Sequence, residues 1–376
     1  MLNRAPEADE KADPHFLKIE TDAFVGRRHS IARYLIASLA GYFPVVVRVG
    51  DSKLAAVFRT GAPHVGISGT ISISTSDDGG RSWTDSVRVT PRWEDARNPA
   101  LGVTDTGRLV VAYWTAVRHA YVADENGYKW NPKDDTEIQD VPGLAIRTSD
   151  DGGSVWSAPR FIHSRGLLFA SPYGRIISAG NELMLPVYGR TRGGTEREFS
   201  CALLRSSDNG EQWGDETLIA NDQNETAILP LGDGRLLAAA RSHSMRNIST
   251  FESSDNGYTW EPLSEVTRRD EHPADLTYLD GGSILLTFGR RVRPFGCGAL
   301  LSRDGGRSWD RNREVLLAGD GAGSSDLGYP STAQLADGTI CTALYFGSGS
   351  HASDDDGSSW GYVSCQMLHY RESLFT

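Results

Sequence analysis

The chain has 376 residues, 39% of them apolar and 23% charged, with 41 glycines, the composition of a soluble, turn-rich β protein. Its 49 acidic against 38 basic residues leave a formal charge of −11, which excludes recognition of nucleic acid or an anionic membrane through a general field; an acidic ligand must be held by a local group of arginines. No apolar run is long enough to span a bilayer, and the opening MLNRAPEADEKADPHF lacks the basic, apolar, small-residue order of a signal peptide, so the expected location is cytoplasmic.

In chain order, residues 1–14 are expected to be flexible. HFLKIETDAFV (15–25) reads as a strand, and HSIARYLIASLAG (29–41) as a short helix or turn. From there a single unit recurs, marked by the octet Ser-x-Asp-x-Gly-x-x-Trp at Ser76–Trp83, Ser149–Trp156, Ser206–Trp213, Ser253–Trp260, Ser302–Trp309 and Ser353–Trp360. The tryptophans lie 73, 57, 47, 49 and 51 residues apart, a period of about fifty that identifies a repeat architecture. Within the octet the Asp can accept from backbone N–H groups of a tight turn, the Gly supplies a positive φ, the Ser closes the loop, and the Trp folds back as an apolar plug. It is a folding element; a calcium loop needs more carboxylates at fixed offsets.

Each of the first five octets follows an alternating strand, as in TISIST or CALLRS, and the fourth unit shows the whole pattern: ETAILPL, GDG, RLLAAAR, ISTFES into the octet, then EPLSEVT. Four antiparallel strands in each of six units predict an all-β six-bladed β-propeller, one domain spanning 1–376. The blades fall at 42–90, 98–163, 168–220, 225–267, 272–318 and 328–370. The sixth octet follows the second strand TICTALYF, so it belongs to a long hairpin before YVSCQMLHY, and the missing fourth strand comes from the N-terminus, within 15–25, closing the ring. The 24-residue excursion HAYVADENGYKWNPKDDTEIQDVP in blade 2 is too long for a turn and is expected to serve a function or an interface. Cys201, Cys297, Cys341 and Cys365 are widely spaced in apolar strands and read as buried thiols.

Inner strands of a propeller converge on one mouth, and polar residues at their ends are the candidates for chemistry. Glu225 opens one inner strand and Arg241 ends the next strand of the same hairpin, sixteen residues on, so the pair meets there. Asp275 in HPADLTYL, Asp326 in DLGYPS and His272 also lie near inner-strand starts.

The octets and the Glu-to-Arg hairpin resemble the sialidase (neuraminidase) superfamily, the BNR or Asp-box repeat proteins, over nearly the whole chain. The resemblance implies that Tyr329 is the nucleophile, Glu225 its assisting carboxylate and Arg241 a carboxylate-binding arginine. A further clamp arginine comes from GRRVRPFG, where Arg290, Arg291 and Arg293 are available and Arg293 or Arg290 is favoured. Asn98 and Pro99 match the family's Asn-Pro segment, with Arg97 beside them. Two positions depart from the pattern. Tyr42-Phe43-Pro44 stands where the family has Arg-Ile-Pro, and FRTGAPHVGISGTISIST has no carboxylate where the acid/base Asp is expected, leaving His64 and Arg59 as the polar residues there.

These features together imply an exo-acting glycoside hydrolase on an acidic sugar. Tyr329 and Glu225 act at the anomeric centre, arginines grip the carboxylate, and His64 or a carboxylate such as Asp275 or Asp326 donates the proton. Arg241, Arg293, Arg290, Arg59, Arg97, Tyr42 and His272 are the binding candidates. A β-elimination on a uronate also suits a Tyr and His without an acidic donor, and a non-catalytic carbohydrate-binding propeller is the third reading. No metal or cofactor is implied, and the expected partner is an anionic carbohydrate.

Overall fold

A computed structural model describes residues 18–22, 30–62, 64, 69–91, 94–117, 121–124, 127–130, 143–195, 197–319, 323–348 and 362–375. Six antiparallel sheets radiate around one axis, a six-bladed β-propeller with almost no helix. The inner strands are Tyr42–Arg48, Glu94–Val103, Leu167–Pro172, Gln223–Gly232, Glu271–Tyr278 and Leu327–Gln334. Apolar side chains fill the seams between successive blades; Val57 and Ile73 of blade 1, for example, cluster with Leu101 and Val111 of blade 2. All four cysteines are free and buried.

The ring closes through an N-terminal strand, but a different one from that expected. Ser30–Ser38 is the fourth strand of blade 6, antiparallel to Tyr362–Tyr370, with Ala32 opposite His369 and Tyr34 opposite Met367. Lys18–Asp22, inside the segment expected to close the ring, pairs outside it as a fifth strand. The helix-or-turn reading of 29–41 failed because this strand is covered on both faces. Ile31 packs with Leu285 and Leu317 of blade 5, whereas Tyr34 and Ile36 pack with Val46 and Leu54 of blade 1. A strand buried on both sides loses the polar alternation that distinguishes it from a buried helix.

The five octets within the described residues share one hydrogen-bonded design. The Ser hydroxyl donates to the Asp carboxylate at 2.8 Å in every copy. The second Gly of each octet, or the only one, donates its N–H back to the same Ser at 2.8–3.0 Å. In the first four the indole N–H reaches the carbonyl of that Gly at 2.9–3.1 Å. Trp309 of the fifth is the exception: its Nε1 has no hydrogen-bond partner among the described residues. The sixth octet and residues 1–14 lie outside the described residues. Of the blade 2 excursion, only the short antiparallel pair Tyr121–Asp124 and Gly127–Trp130 is described.

At the opposite end of the inner strands, every blade carries a register shift near the strand start. The shifts fall between Tyr42 and Val45, Arg97 and Ala100, Leu168 and Ser171, Gln223 and Thr226, Glu271 and Ala274, and Gly328 and Ser331. A bulge re-aims the side chains it contains. Here it turns Phe43, Asn98, Phe169, Glu225, His272 and Tyr329 out of strand alternation. Phe43, Asn98, Phe169 and Tyr329 have φ of 55°, 46°, 58° and 48°. Such values cost a side chain-bearing residue about 1–3 kcal/mol each and persist only where surrounding packing imposes them.

Blade 3 departs further from the pattern. After Pro172 its inner strand leaves the sheet, and Gly174–Arg175 pairs parallel with Ala100–Leu101 of blade 2 before Ile177–Ala179 rejoins its own blade. The diverted segment crosses to blade 5: the Tyr173 hydroxyl donates to the Ala274 carbonyl at 2.8 Å, and Arg175 donates to the Leu276 carbonyl and meets Asp275 at 3.2 Å. It forms a floor beneath the mouth.

Candidate active site

Tyr329 heads the inner strand of blade 6, and its hydroxyl donates to Glu225 Oε1 at 2.5 Å. Arg241 donates from Nη1 to Glu225 Oε2 at 2.6 Å, so the hairpin of blade 4 brings the expected pair together. Burial acts to raise the Glu225 pKa, but the Arg241 charge, the hydrogen bonds from Tyr329 and Arg241, and the more distant Arg291 outweigh it, and the carboxyl is held low. Burial and the Glu225 charge together push the Tyr329 phenol well up, against Arg291 and Arg241. The pair is therefore a neutral phenol donating to an ionised carboxylate, the arrangement in which a base can take the phenolic proton as the oxygen attacks.

Arg291 is the arginine of GRRVRPFG that reaches this pair. Its guanidinium lies over the Tyr329 ring, 5.5 Å from the centroid, and its backbone N–H is tied to the Asp270 carbonyl at 2.8 Å. Arg290 and Arg293, favoured from the sequence, are engaged elsewhere. Arg290 donates to the carbonyls of Val292 and Pro294 and sits 3.8 Å from Glu271, and Arg293 lies over the Phe295 ring at 4.9 Å. Nε and Nη2 of Arg291 and Nε of Arg241 are buried without a hydrogen-bond partner among the described residues. His272 stands with these arginines, 1% exposed; neither ring nitrogen has a hydrogen-bond partner among the described residues, and Nε2 lies 4.0 Å from Asp270 Oδ1. Burial and the charges of Arg241, Arg291 and Arg246 push its pKa down to about 2, so it is neutral.

On the other side of Tyr329, blade 1 meets blade 6. His64 Nδ1 lies 2.7 Å from Asp326 Oδ1, and the Tyr345 hydroxyl donates to the same oxygen at 2.5 Å. Burial acts to raise the Asp326 pKa, but His64, Tyr345 and Arg291 overcome it and hold it at about 2. Tyr42 occupies the position of the family's blade 1 arginine, and the next residue, Phe43, lies edge-on to both Tyr329 and His64 with ring centroids 4.7 Å apart in each case. Tyr42 is 4% exposed, packed edge-on against Tyr345 at 5.2 Å, and burial and Asp326 push its phenol up to about 12. Tyr42 thus belongs to the aromatic wall around His64. A small recess beside Tyr329 is lined by Phe43, Asn98, Tyr173 and Pro330.

Three other expectations are corrected by the partners these side chains hold. Arg59 is fully buried in the seam between blades 1 and 2, donating to the Ala96 carbonyl at 2.7 Å and pairing with Asp95 at 3.1 Å. A guanidinium removed from water needs such a partner, and Asp95 was not singled out from the sequence. Arg97 is committed to the same Asp95, at 2.9 Å, and lies over Trp114 at 5.5 Å. Asp275 is 4% exposed, pairs with Arg175 and accepts the Thr332 N–H at 2.7 Å, which ties the floor to blade 6 rather than offering a proton to the mouth.

Arg291 as the mouth arginine, Tyr345 on the second strand of blade 6, and the floor residues Tyr173 and Arg175 escaped sequence reasoning. Hairpin register carried a signal for Tyr345, which lies opposite Gly328, one residue before the nucleophile candidate. Among the described residues, no group of three or more His, Cys, Asp or Glu side chains could hold a metal ion.

Comparison with known proteins agrees with this fold. The BNR repeat-like domain profile matches residues 53–342. The chain is 23% identical over 211 residues to a sialidase of Paraclostridium sordellii, a match covering 51% of this chain and 49% of that protein, so the chain spans about half the length of this curated relative. A solved protein of unknown function from Dyadobacter fermentans superposes with a TM-score of 0.71 at 20% identity, covering 96% of this chain and all of the other. A Hadza microbial sialidase superposes at 0.66 and 17% identity, over 90% of this chain and 67% of the other. With the profile spanning most of the propeller, this chain belongs to the BNR repeat-like domain family, as a divergent member of the sialidase superfamily.

Proposed function

We propose that this protein is an exo-acting glycoside hydrolase for an anionic sugar, with Tyr329 as nucleophile. The observation that carries this reading is the chain Tyr329–Glu225–Arg241, with hydrogen bonds of 2.5 and 2.6 Å at a mouth that also holds Arg291. Tyr329 Oη bonds to the anomeric carbon as Glu225 takes its proton, and the glycosidic C–O bond breaks as His64 protonates the leaving oxygen. Water, giving its proton to His64, then attacks the same carbon, and the phenolate leaves with the proton returned by Glu225. A neutral nucleophile suits an anionic sugar because a carboxylate in that place would repel it.

The arginine donors buried without partners favour an anionic group, since a carboxylate would satisfy the guanidiniums of Arg241 and Arg291. Tyr42 in place of a third arginine weakens the grip and argues against sialic acid as the preferred sugar. The crossing segment of Tyr173 and Arg175, tied to blade 5, lies across the propeller axis below the mouth, an arrangement that supports removal of a terminal residue.

The test is release of sugar from a panel of aryl glycosides and oligosaccharides with and without carboxylates. Turnover confined to acidic sugars is expected, and R291K, which keeps the charge but loses the planar fork, should raise KM for them about tenfold. Failure to release any sugar would sink the hydrolase. Formation of an unsaturated uronate, seen by its ultraviolet absorbance, would select β-elimination, the reading favoured by the missing blade 1 carboxylate.

A further inference from the structure

Asp326 is a shared acceptor. The same oxygen, Oδ1, accepts from His64 Nδ1 at 2.7 Å and from Tyr345 Oη at 2.5 Å, and the two donors come from different blades. Tyr345 is fully buried, its ring stacked 5.8 Å from that of Tyr329 and edge-on to Phe43 and Tyr42. The backbone around Asp326 is fixed as well: its N–H donates to Ser324 Oγ at 3.2 Å, and its carbonyl accepts from the Gly347 N–H, two residues beyond Tyr345. Burial of the Tyr345 ring and the backbone bonds of Asp326 hold the two side by side. By contrast, the His64 side chain is 31% exposed, the group of the three open to a substrate.

We propose that Tyr345 is a positioning residue that sets the proton-donating strength of His64 through Asp326. The proposal rests on the reading of His64 as the proton donor. A carboxylate oxygen that already accepts a short hydrogen bond from a phenol has less negative potential to offer an imidazolium, so His64 holds its proton less tightly than it would beside Asp326 alone. The same bond fixes the carboxylate rotamer, which keeps the His64 proton on Nδ1 in the neutral ring and leaves Nε2 for the leaving oxygen. The ionisable groups around this triad are Tyr42 and Arg59 from blade 1, Arg291 from blade 5, and Tyr329 from blade 6. Arg291 acts in the same direction as Tyr345 by stabilising the carboxylate charge, and it is unchanged in the variants below.

The experiment is titration of the His64 imidazole by NMR in the full chain, its signal assigned by loss in H64N, alongside the pH dependence of kcat/KM. Y345F is expected to raise the His64 pKa by about half a pH unit or more and to move the alkaline limb of activity up by the same amount. D326N should move both down. Should Y345F fold poorly, 3-fluorotyrosine at position 345 keeps the shape and strengthens the donor, and it should lower the His64 pKa. A His64 titration unmoved by either change at Tyr345, or moved by Y345F in the direction of D326N, overturns the proposal. Full activity in H64N would instead remove His64 as the proton donor, while the titration would still report whether Tyr345 tunes it.

Discussion

The two ends of the propeller carry the same six-fold frame and use it in opposite ways. At the octet end, five copies repeat one hydrogen-bond pattern, with the Ser–Asp bond at 2.8 Å in each. At the mouth, six bulges fall at corresponding places in the inner strands, and their residues, among them Phe43, Asn98, Phe169, Glu225, His272 and Tyr329, follow no repeated pattern. Each octet closes its defining Ser–Asp–Gly bonds within itself, and neighbouring blades add further polar contacts, as from Arg205 to the Asn256 carbonyl and from Thr217 to the Gly257 carbonyl. The mouth residues find partners across blades: Tyr329 of blade 6 on Glu225 of blade 4, His64 of blade 1 on Asp326 of blade 6, Tyr173 of blade 3 on Ala274 of blade 5. Repetition builds the frame, and function comes from breaking the repetition where the strands converge.

The sharpest way to separate the two ends is to remove the Tyr329 hydroxyl. Y329F should lower kcat by about 10³-fold or more while leaving the thermal midpoint near that of the native chain, and E225Q should cost about 10²–10⁴-fold. Single-turnover kinetics and thermal melting check this, and an active Y329F would dissolve the distinction between the ends. The converse change is at the octet end. Gly306 has φ of 89°, and a Cβ there would lie 2.5 Å from Leu237 Cδ2. G306A should destabilise by about 1–3 kcal/mol, measured by denaturant unfolding, with kcat per folded molecule unchanged.

The smallest effect concerns acid. Hydrogen bonds from Thr259 and Ser253 hold Asp255 at about 2, and those from Ser308 and Ser302 outweigh burial to hold Asp304 there too; His64 and Tyr345 do the same for Asp326. These carboxyls are held below their ordinary value of 3.8, so the stability they supply is full above that value and is lost as pH falls through about 2. Thermal midpoints should therefore drop between about pH 4 and pH 2, and the D255N/D304N double variant should show a shallower drop from a lower starting point. An equally steep drop in that variant would place the acid sensitivity at the mouth and not in the octets.

Much of the frame was legible because its determinants are local. The octet's turn chemistry acts within eight residues, and the Glu225–Arg241 meeting follows from one hairpin. The choice among Arg290, Arg291 and Arg293 was not legible, because it depends on which way the chain turns after the strand ends at Arg290. Four of the six mouth bulges did carry a signal, a proline following the re-aimed residue at Phe43-Pro44, Asn98-Pro99, His272-Pro273 and Tyr329-Pro330. Taken together these pairs mark one structural level around the ring. The segment 29–41 misled for a related reason, since its two faces are covered by different blades, one by Leu285 and Leu317 far along the chain and the other by Val46 and Leu54 of blade 1.

By itself the sequence determined a six-bladed propeller, its blade boundaries, its closure by an N-terminal segment and the pairing of Glu225 with Arg241, all of which rest on short-range turns and hairpins. Only the tertiary structure decided that Ser30–Ser38 closes the ring, that Arg291 and not its neighbours lies over Tyr329, that Asp95 holds Arg59 away from the mouth, and that Asp326 serves His64 and Tyr345 together. Each of these depends on charges and rings brought together from separate blades, where burial makes partner choice stringent and sequence distance gives no guide to it.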